Sequence, residues 1–312
     1  MACLRLGRVS FALLFSGQGT QHPGMLPWLE SEPDSLPALD AMAQVIGSDW
    51  RAGLEDVAQR SRNAFAQPLI TGTALAAWAA LAACLEEGPT AVAGYSVGEL
   101  PAFACAGVFS AQSAIALAVK RAALMDDAVA DLDTGLLSVS GLTVAQVLQV
   151  HPALECAIEL GTDQGIYAGE VAALTLSAEA LSVKGALCKL LEVRVASHSR
   201  WMASAALGFA AHLESMPCER PHAVLALNAT GASSRDPKAL RAALSAQIAS
   251  TVQWAACMDT LAEQGVACVM EIGAGTTLSK MWNQRHAGIP SRSLGDFRDV
   301  AGAASWLQRN AH

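Results

Sequence analysis

The chain has 312 residues, of which 53% are hydrophobic and 15% charged, and its formal net charge is −8. This composition is typical of a globular protein with one large or two modest domains and a sizeable buried core. The acidic balance and the lack of a basic run argue against a nucleic-acid partner. We find no apolar stretch of the ~18 residues that a membrane span needs.

The first half of the chain alternates strand and helix patterns. Gln67 and Pro68 precede the alanine-rich helix, and Gly88 and Pro89 are expected to end it. Ser110 is a predicted helix cap. Long crossovers between strands predict a parallel sheet covered by helices. Strands are predicted over 11–15 and 90–95, and helices over 37–60 (broken near Gly47), 69–88, 97–108 and 111–129.

The order of predicted strands and helices changes from about residue 134. The order β-α-β-β-α-β is that of a ferredoxin-like module, whose ~60 residues suit an insertion better than an independent enzyme. We therefore predict an α/β catalytic domain, hydrolase-like, over 1–132 and 196–312, with a ferredoxin-like insertion over 133–195. The insertion has predicted strands over 136–141, 155–162, 165–169 and 191–197 and helices over 143–151 and 177–190. The main domain then resumes with strands over 223–230 and 267–273 and helices over 239–250 and 254–265.

The segment GYSVGEL (94–100) places Ser96 between two glycines, where a strand gives way to a helix. Glycines at these positions allow a tight turn and a close backbone approach. The pattern G-x-S-x-G is typical of a nucleophile elbow, which holds a serine oxygen at a helix N-terminus. A turn serine without chemistry fits the same five residues, and the motif alone leaves both interpretations open.

Cysteine usage and the N-terminus bear on the compartment. The eight cysteines include no C-x-x-C pair, which favours small core residues in a reducing compartment over a disulfide framework or a metal site. The N-terminal apolar run ends in GQGTQ, where a signal peptide would need a cleavage site. The sequence therefore predicts a cytoplasmic protein.

Seven short segments lie in order along nearly the whole chain: FSGQGTQHPGM (15–25), AQPLITG (66–72), GYSVGEL (94–100), VKRAALM (119–125), VASHSRWM (195–202), LSAQIASTVQW (244–254) and EIGAGTTL (271–278). In this order and spacing they resemble the malonyl-CoA:acyl-carrier-protein acyltransferase family. Within that family, Thr20, His22, Pro23 and Tyr95 look most like the acyltransferase subunit of malonate decarboxylase. The family fold is a hydrolase-like α/β domain with a ferredoxin-like insertion, as the element order also predicts.

The resemblance assigns roles to individual residues. It implies that Ser96 is the nucleophile and His198 its general base, oriented by the backbone carbonyl of Gln247. It also implies an oxyanion hole made by the backbone N–H groups of Val97 and Gln18. Each such donor is typically worth ~3 kcal/mol.

The resemblance further implies that Arg121, with Gln67 beside it, holds the free carboxylate of a malonyl group. A guanidinium fork pairs with a carboxylate through two hydrogen bonds, which disfavours neutral acyl groups. On a helical projection Arg121 falls beside a buried stripe, and most arginines in such places only extend along a boundary. The implied donor is malonyl-CoA, and the implied acceptor is the phosphopantetheine-type thiol of an acyl carrier protein or of a malonate decarboxylase carrier subunit. No bound cofactor or metal is implied.

Two other functions compete with acyl transfer. An α/β-hydrolase thioesterase would use water as acceptor and an Asp or Glu partner for His198. A catalytically idle carrier-binding subunit would need none of these residues. The carrier, the pathway, the choice between malonyl and methylmalonyl, and the effect of Tyr95 in place of the usual histidine stay open. For docking an acidic carrier, a local basic patch is predicted at Lys280, Arg285 and Arg200.

Overall fold

The computed structural model describes residues 10–312. Cys3 and the first nine residues of the segment considered as a signal peptide lie outside this range, whereas its apolar run over 11–15 is a buried strand of the protein. The strands are β1 Phe11–Phe15, β2 Ala91–Gly94, β3 Thr134–Ser140, β4 Glu155–Gly161, β5 Gln164–Glu170, β6 Leu187–Leu190, β7 Val224–Leu225, β8 Cys268–Ile272 and β9 Ser291–Ser293. The α-helices are α1 Leu36–Ile46, α2 Trp50–Gly53, α3 Val57–Ser61, α4 Asn63–Ala83, α5 Glu99–Cys105, α6 Ala111–Ala128, α7 Val144–Val150, α8 Val171–Val183, α9 Ala203–Glu214, α10 Pro237–Ala246, α11 Trp254–Ala262, α12 Thr277–Arg285 and α13 Val300–Asn310.

A five-stranded sheet in the order β7-β2-β1-β8-β9 forms the centre of the protein, and every pair in it is parallel. Alternate residues of β1 enter two different cores: Leu13 lies in one hydrophobic cluster and Leu14 in the other. Both faces of the sheet are therefore covered, as parallel sheets require. The prediction of a parallel sheet covered by helices is confirmed.

A second, antiparallel sheet has the order β4-β5-β3-β6. With α7 and α8 it gives the order β-α-β-β-α-β that the sequence predicts. Neighbouring residues of β3 again face opposite ways. Leu137 packs with Leu174 of α8 in the core of this unit, whereas Leu136 joins the cluster that contains Leu14 of β1 and Trp254 of α11. The face of the small sheet that carries Leu136 therefore packs toward the parallel sheet.

The last helix and strand of the small unit were placed wrongly from the sequence. The helix predicted over 177–190 corresponds to α8, which begins earlier and ends at Val183. The strand predicted over 191–197 corresponds to β6, which ends at Leu190. Gly185 follows the helix with φ 88°, the left-handed conformation that commonly ends a helix. Because that stop precedes LCKL, these residues pair with β3 and the segment 191–197 is left without regular structure.

Helix α4 also begins earlier than predicted. It starts at Asn63, so Pro68 lies inside it, and it ends at Ala83 rather than at Gly88. With 21 residues and a mean hydropathy of 1.3, α4 is long and apolar enough to cross a membrane, contrary to the sequence-based expectation. However, 83% of its most apolar window is buried inside the protein. The helix packs on α1 and α6 and belongs to the core.

Two further predictions need shortening. The helical pattern over 37–60 resolves into α1, α2 and α3. The strand expected over 223–230 is reduced to β7, a two-residue edge strand, after which the chain leaves the sheet. Asn228 stands just beyond this point, at the end of the sheet where β2 turns into the serine-bearing segment.

Candidate active site

Ser96 lies in a strained turn at the carboxyl end of β2. Its φ is 56°, in the left-handed region, which costs a non-glycine residue roughly 1–3 kcal/mol. A Cβ on Gly94 would lie 1.9 Å from the Gly98 carbonyl oxygen, and one on Gly98 would lie 2.3 Å from that of Phe15. Only glycine fits at these two positions, so the residue pattern dictates the tight turn that presents the Ser96 hydroxyl.

His198 contacts this hydroxyl. Its Nε2 lies 2.7 Å from the Ser96 Oγ, although 102 residues separate the two in sequence. Two successive residues fix the histidine from the other side: its backbone N–H donates to the Ile248 carbonyl at 2.9 Å, and its Nδ1 lies 2.5 Å from the Gln247 carbonyl oxygen. Its φ of 62° is again left-handed. The histidine is thus held in one orientation.

The partners of His198 determine its tautomer. A carbonyl oxygen only accepts, so Nδ1 carries the proton and donates to Gln247, which leaves Nε2 free to accept from the Ser96 hydroxyl. Gln247 is the C-cap of α10, so its carbonyl belongs to the negative end of that helix. This end favours a positive imidazolium. The group that contacts His198 Nδ1 is therefore a backbone carbonyl and not the Asp or Glu side chain that the thioesterase interpretation needs.

Arg121 is 1% exposed and reaches the same hydroxyl from α6. Its Nη1 donates to Gln67 Oε1 at 2.9 Å, and its Nη2 lies 3.4 Å from Gln247 Oε1 and 3.5 Å from Ser96 Oγ. Within residues 10–312 no carboxylate lies in ion-pair distance of it, and its Nε and the Nε2 of Gln247 are buried donors without a partner. Such a group of unpaired donors suits an anion.

Gln18 lies in the loop after β1. The loop is tied to the end of α3, because the Gln18 and Gln21 side chains donate to the Ser61 and Arg60 carbonyls at 3.3 and 2.9 Å. Gln18 lines the same cavity as Ser96. All seven residues named from the sequence therefore lie together: Ser96, Val97, His198, Gln247, Arg121, Gln67 and Gln18.

The cavity is bounded on its far side by the small sheet. Leu136, Ile158 and Ile166 contribute apolar walls, and Leu191 and Val193 add to them from the segment after β6. The polar groups described above occupy the opposite wall. Tyr95 also lines the cavity, with its ring edge-on to Trp254 at 5.1 Å between centroids. The site is therefore a cleft between the two sheets.

Burial sets the ionisation of the charged groups. Burial and the nearby Arg121 cation lower the pKa of His198 to about 3, which the hydrogen bond to Gln247 partly opposes. Burial lowers the pKa of Arg121 to about 10, while Glu99 raises it. At neutral pH the histidine is thus an uncharged base and the arginine a cation.

The low pKa of His198 has a measurable consequence. Because the folded protein keeps the imidazole neutral well below its ordinary pKa of 6.5, kcat/KM for a reaction that uses His198 as its base is expected to stay level as the pH is lowered from about 7 to about 5. The window begins below the pKa of about 8 to which burial raises Glu99. The measurement is a pH–rate profile of the free enzyme, paired with an NMR titration of the histidine ring. An acid limb centred near 6.5 would contradict this geometry.

Sequence reasoning missed the residues that hold the two loops. Asn228 and Glu99, both fully buried, contact the serine turn, and Glu271 accepts from the Ser16 hydroxyl at 3.0 Å just before the Gln18 loop. The one available signal for Asn228 was its place as a polar residue near the end of the strand predicted over 223–230, which pairs with β2 in the structure. Pairing across 132 residues, however, cannot be read from one sequence.

No cluster of three or more potential metal ligands occurs among residues 10–312, and the seven cysteines in this range are free.

Comparisons with known proteins show the family of the chain. Residues 12–298 match the family described as acyl transferase domain. The malonyl CoA-acyl carrier protein transacylase of Mycobacterium tuberculosis is 35% identical over 299 residues, which are 93% of this chain and 97% of that protein. The crystal structure of MCAT from the same organism has a TM-score of 0.87 at 33% identity and covers 95% of this chain and 99% of its own.

A further solved structure shows a related protein with a partner. It is described as a malonyl-transacylase in complex with the acyl carrier protein of a type II polyketide synthase. Its TM-score is 0.88 at 26% identity, and the match covers 95% of this chain and 99% of that chain.

Proposed function

The chain belongs to the acyl transferase family that includes the malonyl-CoA:acyl-carrier-protein transacylases, and from this premise we propose that it transfers a malonyl group from coenzyme A to the thiol of a carrier protein through a malonyl-Ser96 intermediate. One observation carries the proposal: the buried, unpaired guanidinium of Arg121 lies 3.5 Å from the same Ser96 oxygen that contacts His198. A donor whose acyl group ends in a carboxylate suits this spacing.

Acylation of Ser96 is the first half of the reaction. His198 Nε2 takes the hydroxyl proton as Oγ attacks the thioester carbonyl, and the oxyanion forms beside the backbone N–H groups of Val97 and Gln18. The C–S bond then breaks, and His198 returns its proton to the coenzyme A thiolate. A thioester is a reactive acyl donor, so a histidine oriented by a carbonyl is a sufficient base.

Transfer to the carrier repeats these steps in reverse. The carrier thiol gives its proton to His198, and its sulfur attacks the malonyl ester of Ser96. The ester bond breaks, and the proton passes from His198 to the Ser96 oxygen, which restores the free enzyme. The two half-reactions use the same groups, as expected for exchange between two thiols.

Arg121 supplies the selectivity for malonyl in this proposal. Gln67 and Gln247 fix the guanidinium plane from two sides, and the remaining Nε–H faces no protein acceptor. A carboxylate would take the place of the missing partner, whereas an acetyl group would leave the buried cation unpaired. The resemblance to the family points to the same residue.

The identity of the carrier is the finer part of the proposal. The relatives named above act with an acyl carrier protein, whereas Thr20, His22, Pro23 and Tyr95 favour the carrier of a malonate decarboxylase. We also propose that the protein is cytoplasmic, because its proposed donor is a coenzyme A thioester. A docking patch at Lys280, Arg285 and Arg200 remains a proposal, and it is weakened because Arg285 pairs with Asp259 at 2.5 Å and Arg200 pairs with Glu155.

A transfer assay tests the proposed function. The protein is incubated with labelled malonyl-CoA and with an acyl carrier protein, a malonate decarboxylase carrier, or no acceptor. We expect the label to move to a carrier, with little free malonate. Release of most of the label as malonate, whichever acceptor is present, would favour a thioesterase instead, and lack of any turnover would favour an idle carrier-binding subunit.

A further inference from the structure

Asn228 clamps the serine-bearing turn from the neighbouring strand end. Its side-chain Oδ1 accepts from the Ser96 backbone N–H at 2.9 Å, and its Nδ2 donates to the Gly94 carbonyl at 2.7 Å. These backbone partners fix the orientation of the carboxamide, because an N–H only donates and a carbonyl only accepts. Asn228 thus holds the residues on either side of Tyr95.

Glu99 and Gln253 hold Asn228 itself. The Asn228 backbone N–H donates to Glu99 Oε1 at 2.7 Å, and its carbonyl accepts from the Gln253 N–H at 2.8 Å. Asn228 and Glu99 are both 0% exposed, so neither can touch a substrate in the cleft. Because Glu99 opens the helix after the turn, the contacts run from Glu99 through Asn228 back to Ser96.

From these contacts we propose that Asn228 is a positioning residue, whose side chain holds the strained turn so that the Ser96 hydroxyl meets His198 and the Val97 N–H stays free for the oxyanion. The inference rests on the proposed function for the identity of the reaction. It adds a residue that none of the family-like segments contains.

The strain at Ser96 explains why such a clamp is needed. A serine at φ 56° tends to relax toward an ordinary conformation, and relaxation would move Oγ away from Nε2, now 2.7 Å distant. A displacement of about 1 Å at a reacting atom can lower a rate about 100-fold. The clamp also engages the Ser96 N–H, so the oxyanion donor on this turn is the next residue, Val97.

Two substitutions separate positioning from general stability. Asn228→Ala removes both hydrogen bonds, and we expect kcat for malonyl transfer to fall about 10- to 100-fold while KM for malonyl-CoA changes less than about threefold, because the Arg121 region is untouched. Asn228→Asp keeps the shape. Its protonated carboxyl can still donate to Gly94 and accept from Ser96, but its ionised form cannot donate.

The aspartate variant therefore has a signature that loss of stability does not share. Its kcat relative to wild type is expected to rise as the pH is lowered from about 9 to about 5, while the ratio for Asn228→Ala stays flat. The ionisable groups around the turn include Glu99, Tyr95, Arg121 and His198. The alanine variant keeps all four, so its ratio reports their titration, and the difference between the two variants reports the aspartate. Burial raises the pKa of Glu99 to about 8, and because Glu99 contacts residue 228, repulsion between the two carboxylates raises the pKa of the new aspartate as well.

Asn283 offers a matched control. It forms the same pair of backbone contacts, donating to the Ser291 carbonyl at 3.0 Å and accepting from the Ser291 N–H at 2.9 Å, but it lies on α12 away from the cleft. Asn283→Ala and Asn283→Asp are expected to keep wild-type kcat and to show no pH-dependent ratio. Urea unfolding of every variant ensures that rates are compared on folded protein.

The outcomes are distinct. A folded Asn228→Ala protein with kcat within about threefold of wild type would overturn the inference. If this variant does not fold, the aspartate variant decides, and a flat ratio across the pH range would overturn it. Sulfonylation of the Ser96 hydroxyl by phenylmethylsulfonyl fluoride, which releases fluoride, is measured alongside, so that failure of the wild-type protein to transfer malonyl counts against the proposed function alone.

Discussion

Replacement of His198 by alanine is expected to slow acylation of Ser96 by malonyl-CoA about 100- to 10,000-fold, the usual contribution of a positioned general base. The structure gives the reason. His198 Nε2 is the acceptor 2.7 Å from the Ser96 Oγ, and the other neighbour of that oxygen, Arg121, is a cation that cannot take a proton. Without the imidazole the hydroxyl has no base.

The measurement is a rapid-quench time course of acyl-enzyme formation with excess malonyl-CoA. His212→Ala serves as the control, because His212 is exposed on α9 and outside the cleft. KM is expected to change little, since Arg121 and Gln67 stay in place. A folded His198→Ala protein that acylates within about tenfold of wild type would remove His198 from the mechanism.

Replacement of Arg121 by alanine is expected to lower kcat/KM for malonyl-CoA roughly 30- to 5,000-fold. This corresponds to a loss of about 2–5 kcal/mol of transition-state stabilisation, the usual cost of removing one partner of a buried charge pair. The activity with acetyl-CoA relative to malonyl-CoA should rise, because the neutral acyl group no longer faces an unpaired cation. Arg121→Lys should restore little, since an ammonium cannot make the two parallel hydrogen bonds of a guanidinium.

The same substitution has a second effect that identifies the charge as the cause. Arg121 is one of the groups that lower the pKa of His198, so its removal should raise that pKa toward 6.5 and move the acid limb of kcat/KM to higher pH. The neighbouring Lys120 is exposed on α6, and Lys120→Ala is the matched control. An unchanged malonyl-to-acetyl preference in folded Arg121→Ala would contradict the role of the arginine.

The residues that the sequence analysis named for the site lie near one another in the structure, whereas the bounds of some elements around them differ from the prediction. Ser96 could be found because its two glycines leave a local signal. His198, Arg121 and the Gln247 carbonyl entered through the resemblance of whole segments to a family. The roles of these residues stay proposals, but the structure brings them within hydrogen-bond reach.

The errors have physical causes. The sequence predicts a helix that begins after Pro68, yet α4 begins at Asn63 and contains this proline. Tertiary packing of the helix outweighs the loss of one backbone hydrogen bond. The residues LCKL are predicted to be helical because four residues are too few to show an alternation of apolar and polar side chains. They form a strand because they pair with β3, a contact that one sequence does not reveal. Asn228 was missed because its partners come from distant parts of the chain.

The most direct test of the whole account is to locate the malonyl group on the protein. Wild type is mixed with malonyl-CoA, quenched in acid, digested and analysed by mass spectrometry, and a second sample is chased with carrier protein before quenching. We predict one malonyl group on the peptide that contains Ser96, its loss during the chase with equal gain on the carrier, and no adduct in Ser96→Ala. A malonyl group on another residue, or transfer to the carrier by Ser96→Ala, would contradict the account.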